Sequence, residues 1–69
     1  MTREDGAYVA LIMSIHGALD IAAILPDDEA KREITMGLML AFRTAREKAS
    51  PEALELAHSI EAAEVERRP

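Results

Sequence analysis

Few side chains in this 69-residue sequence could do chemistry, and they fall in four places. Glu55-Leu56-Ala57-His58 is an E-x-x-H, and Glu61 follows three residues on. Glu and His at that spacing share one side of a helix, the arrangement by which helical bundles hold metal with further glutamates from facing helices. Glu33 could supply such a glutamate. However, His58 and Glu61 point away from the Leu56/Ile60 stripe, so an exposed Glu-rich face accounts for them and no metal is expected. His16 and Asp20 lie one turn apart within a mostly apolar segment. They could form a pH-sensitive contact or bind a metal with a symmetry mate, but a local pair at a partly wet subunit interface satisfies both groups equally well. Arg43, Arg46 and Lys48 form a basic cluster, suited to a phosphate or an acidic partner and equally to the end of a helix. Met13, Met36 and Met39 could line an adaptable apolar groove or simply fill core.

None of these is a catalytic constellation. Ser14 lies only two residues from His16 and would point elsewhere on a helix, so no Ser/His/Asp triad can be built. There is no glycine-rich phosphate loop, and with no Cys there is neither a disulfide nor a Cys-based zinc site. A non-enzyme without a cofactor is the expectation. Charge narrows the partners. A formal net charge of −5 repels nucleic acid, and a helix-turn-helix would present Glu52, Glu55, Glu61 and Glu64 to phosphates. The segment Gly6–Leu25 is long enough to span a bilayer, but Asp20 and His16 oppose insertion and neither flank is clearly basic. The start, Met1-Thr2-Arg3-Glu4-Asp5, does not read as a secretory leader. A cytoplasmic protein, bound to neither membrane nor nucleic acid, is expected.

The elements that must position these residues are helices. Pro26 and Pro51 divide the chain into three segments, none of which has the polar alternation of a strand. The pattern predicts an all-α single domain over residues 1–69, with helices at about 5–25, 28–49 and 51–67. Thr2 or Asp5 caps the first, and Pro26 ends it. Asp27 is the expected N-cap of the second. Ser50-Pro51-Glu52 is a specific start for the third, and Arg67 and Arg68 suit its end. The first two helices are expected to form an antiparallel hairpin, with the shorter C-terminal helix folded back on it.

The wheel of helix 1 places Tyr8, Leu11, Ile12, Ile15, Leu19 and Ala22 on one apolar face, yet Val9, Met13, Ile21 and Ile24 lie opposite. A helix apolar nearly all round needs cover on more than one side. In helix 2 Ala30, Ile34, Leu38, Ala41, Phe42 and Ala45 form one stripe, and the middle turns are apolar throughout. In helix 3 the stripe is Ala53, Leu56, Ala57, Ile60 and Ala63. A domain of this size buries only ~60% of the surface its unfolded chain exposes, and this one has one Phe, one Tyr and no Trp to fill a core. Oligomerisation remains as the stabilising device. A helical-bundle homodimer is therefore expected, with Val9, Met13, His16, Gly17, Asp20, Ile21 and Ile24 at the interface.

On the side of helix 2 away from Ile34 and Leu38 lie Met36, Met39, Leu40, Arg43 and Glu47. They form a candidate partner-binding patch whose competing use is the dimer interface itself. In length, acidity and helical build the chain resembles small phage- or plasmid-encoded inhibitors, such as antiactivators that hold transcription activators and anti-CRISPR proteins. That resemblance implies a non-catalytic regulator occupying a partner protein's surface, and it carries over no site residues. The alternatives are an accessory subunit of a larger assembly and, on the E-x-x-H, a metal-binding helical protein.

Overall fold

A computed structural model of the chain describes residues 1–67, which form three α-helices and no strand: α1 Arg3–Ala22, α2 Glu29–Lys48 and α3 Pro51–Arg67. Both residues expected to cap α1 do so together. Thr2 Oγ1 accepts the Asp5 N–H at 3.1 Å, and Asp5 Oδ2 accepts the Thr2 N–H at 3.1 Å, so each satisfies a donor that the helix start leaves free.

α1 begins at Arg3 rather than near Asp5, because Thr2 is its N-cap and Asp5 falls in the first turn, and other boundaries differ from expectation as well. α1 stops at Ala22 rather than near Leu25. The N–H groups of Ile24 and Leu25 reach back only three residues, to Ile21 and Ala22, because Leu25 precedes a proline and is driven from the α region, tightening the exit. Asp28, not Asp27, caps α2, and its Oδ1 accepts the Lys31 N–H at 3.0 Å. The Asp28 N–H bonds Pro26 O at 2.9 Å, which holds Asp27 in the middle of a three-residue turn and moves the helix start on by one. Lys31 Nζ then donates to Ala23 O at 3.2 Å, tying the start of α2 to the end of α1. Ser50 caps α3 as expected, its Oγ accepting the Ala53 N–H at 3.1 Å. Arg68, expected at the end of this helix, lies outside the described residues.

α2 and α3 both pack on α1 and touch each other far less. The core is Val9 and Ile12 of α1 against Ala45, Ala49, Ala53 and Ala57, flanked by partly buried Tyr8, Met13, Ile15, Phe42, Leu54 and Leu56. Val9, expected on the outward face, is buried within the chain, and Leu11, expected inside, is half exposed. Two helices rest on α1 rather than one, which rotates its covered arc toward Val9. Ala30, Ile34 and Ala41, expected on the inner stripe of α2, are also exposed, whereas Ala45 of that stripe is buried as expected and Ala49 joins it in the core. Four alanines at four-residue spacing let the helices meet closely at the α2–α3 corner but fill little volume. Among the described residues no large side chain is fully buried. The molecule is a thin slab of 40 × 32 × 14 Å. Its radius of gyration is 13.3 Å, where a compact chain of this length has about 11 Å.

Ala53 is wholly inaccessible, so Ala53→Leu is expected to overpack the corner and lower stability by about 1–3 kcal/mol, read as a shift in the urea midpoint at constant slope.

Candidate protein-binding surface

The sequence-derived patch assembles into one open groove of about 800 Å³. Met36, Met39 and Leu40 of α2 form its apolar floor, with Leu19 of α1, Phe42 and Leu54 of α3 beside them and Arg43, Arg46 and Glu47 at the rim. The floor is open to solvent, with Met36 71%, Met39 59% and Leu40 54% exposed. Arg43 Nε lies 3.9 Å from Glu47 Oε1, and the Arg46 guanidinium sits 5.6 Å from the centre of the Phe42 ring. That cation–π contact sets the exposed Arg46 side chain against the Phe42 ring at the groove's edge. All five patch residues line the groove, whereas its other four residues were not assigned to the patch from sequence. Arg46 could have been found from its spacing to Phe42, one helical turn apart. Leu19 and Leu54 come from other helices and needed the packing.

The residues expected at a dimer interface divide. Val9 and Met13 pack into the chain's own core. Ile21 and Ile24 stand outward, 68% and 84% exposed, and a methyl group at Gly17 would touch nothing. His16 Nδ1 lies 4.0 Å from Asp20 Oδ2, a loose pair, and its ring centre lies 6.4 Å from that of Phe42. A second cleft of about 480 Å³ opens between Tyr8, Leu11 and Ile15 of α1 and Ala41 and Thr44 of α2, and Leu40 borders both cavities.

Glu55 and His58 are exposed, and among the described residues no three His, Asp or Glu side chains converge as a metal site would require. His58 and Glu61 line a small cleft of about 180 Å³ with Ile12, Phe42 and Arg46. Glu33 belongs to α2 and joins no such cluster. No helix is long and apolar enough among the described residues to cross a membrane.

Electrostatics act most clearly away from the groove, at the corner. Ser50 Oγ donates to Asp5 Oδ1 at 2.7 Å while also accepting the Ala53 N–H, and the Met1 ammonium lies 3.8 Å from Glu52. The Ser50 hydroxyl first, and then the Thr2 N–H, hold the Asp5 carboxyl below its ordinary value of 3.8. No protein-family model matches the chain, and neither a curated protein nor a solved structure does.

Two outcomes follow from these placements. A depressed folded pKa gives stability that is complete above the unfolded value of 3.8 and is lost as pH falls through the folded one. Wild type should therefore lose its margin over Asp5→Asn on acidification below that value, which urea melts at a series of pH values will read; parallel curves would contradict it. His58→Ala should leave the unfolding midpoint within about 0.5 kcal/mol, as for an exposed side chain. Stoichiometric zinc or iron in purified wild type, lost from this variant, would instead revive the metal reading.

Proposed function

We propose that the chain is a non-catalytic regulator that binds another protein and works as a homodimer in the cytoplasm. In this reading α1 and α2 form an antiparallel hairpin with α3 folded back on it, and two such units make the bundle. The observation that carries the proposal is the open apolar groove along α2. Exposed methionines with a ring of charge at their edge form the kind of surface that recognises a protein: apolar anchors give affinity and rim charges set on-rate and specificity. The net charge of −5 disfavours nucleic acid as the target. Two faces are available, the α2 groove and the back of α1 around Gly17, Ile21 and Ile24. A homodimeric regulator needs one for its second copy and one for its target.

The thinness of the slab also favours a second reading, an accessory subunit whose open faces are filled by a larger assembly. Size exclusion with light scattering separates the two, since a clean homodimer supports the regulator and a polydisperse chain the orphan subunit. The direct test uses tagged protein in the source cell, comparing wild type with Met39→Asp and Ile21→Glu. One protein should copurify stoichiometrically with wild type and be lost from one of the two variants, with helicity unchanged by circular dichroism. Absence of any stoichiometric companion would overturn the regulatory role.

A further inference from the structure

We infer that the α2 groove is occupied by α2 of a second copy of this chain, running antiparallel, which leaves the back of α1 for the regulated protein; this rests on the reading of the groove as a protein-binding surface. Three observations choose this occupant.

The first is area. A folded monomer of 7.6 kDa has an accessible surface of about 4,300 Å², whereas this chain exposes 5395 Å². The excess, about 1,100 Å², is near the roughly 800 Å² that each partner gives to a standard interface. The enlarged radius of gyration reports the same deficit independently.

The second is periodicity. Positions seven apart stay on one side of a helix, so Glu29, Arg32 and Glu33, then Met36, Met39 and Leu40, then Arg43, Arg46 and Glu47 line the outer side of α2 as one seam, apolar at its centre and charged at both ends. Only the middle set is apolar, so it must lie at the centre of the contact. A two-fold axis there sets each Met36 near Met39 and Leu40 of the other copy, with Phe42 and Leu54 as walls.

The third is charge. Residues 43–48 carry a net +2, and the segment entering α2 is acidic through Asp27 and Asp28, while Glu29–Glu33 of the helix itself sum to zero; the helix is therefore basic at its end and acidic only just before its start. Parallel pairing would set like against like. Antiparallel pairing sets Arg43 and Arg46 beside Glu29 and Glu33 of the second copy, and vice versa. Arg32 and Glu47 lie on the same seam and partly offset this, leaving −1 and +1 within the seam itself. The surface is thus complementary to itself under one symmetry operation, as a closed dimer requires.

Sedimentation equilibrium of the full chain, from about 1 to 100 µM, reads the affinity. Wild type should be a dimer. Arg43→Glu and Glu33→Arg should each weaken it about tenfold, and the double variant should return to within about threefold of wild type, because reversing both ends restores opposite charges only in the antiparallel pair. Met39→Asp should give monomers with unchanged helicity, since Met39 is exposed within the chain. A dimer indifferent to Met39→Asp and to both charge reversals would place the second copy elsewhere and overturn the inference. So would a wild-type monomer at 100 µM. In that case an apolar dye bound by wild type and lost from Met39→Asp would show that the groove still serves another protein, whereas no dye binding would remove the underlying reading as well.

Discussion

The Ser50 hydroxyl is the point on which the three helices depend. It donates to Asp5 and accepts from Ala53, so one oxygen fixes the start of α1 against the start of α3 just where α2 ends. Asp5 in turn completes the cap of α1. The corner therefore joins the N-terminal caps of α1 and α3 into one connected network. A capping interaction alone is worth ~1 kcal/mol. Its importance here is positional, because α2 and α3 have little direct contact to orient them.

What grows from the corner is limited by the size of its side chains. Alanines at 45, 49, 53 and 57 permit a close approach, but each buries one methyl group, and burial returns only ~0.8 kcal/mol per carbon of that kind. Leucines and methionines, which would contribute two to three times as much, stand on the outside of α2 instead. Apolar side chains that an ordinary small domain would fold inward are presented outward, and that distribution is what supports the proposal of a protein-binding role.

The helices were legible in the sequence because their ends are marked by local chemistry: Thr2 and Asp5, the prolines at 26 and 51, and Ser50. The one-residue error at Asp27 and the three-residue overrun at Leu25 arose from a turn whose hydrogen bonds depend on Pro26. The outer patch of α2 was also legible, since residues on one side of a helix are fixed by spacing alone. Which side of α1 faces inward was not. Val9 and Leu11 exchange their expected places because that choice depends on how many helices lie on α1 and at what angle. For the same reason Leu19 and Leu54 became part of the groove only once the packing was known.

The burial of α3 falls off along its length. Ala53 and Ala57 are buried, Ile60 is 40% exposed and Val65 65%. The helix is clamped at its first two turns and free beyond them, so resistance to amide hydrogen exchange should form a gradient, slowest around the corner and fastest toward Arg67. An opening that begins at that free end reaches Leu54 before it reaches Ser50. Leu54, however, sits within the two clamped turns, between buried Ala53 and Ala57, so the last turns of α3 can open while the groove keeps this wall and the three helices remain joined.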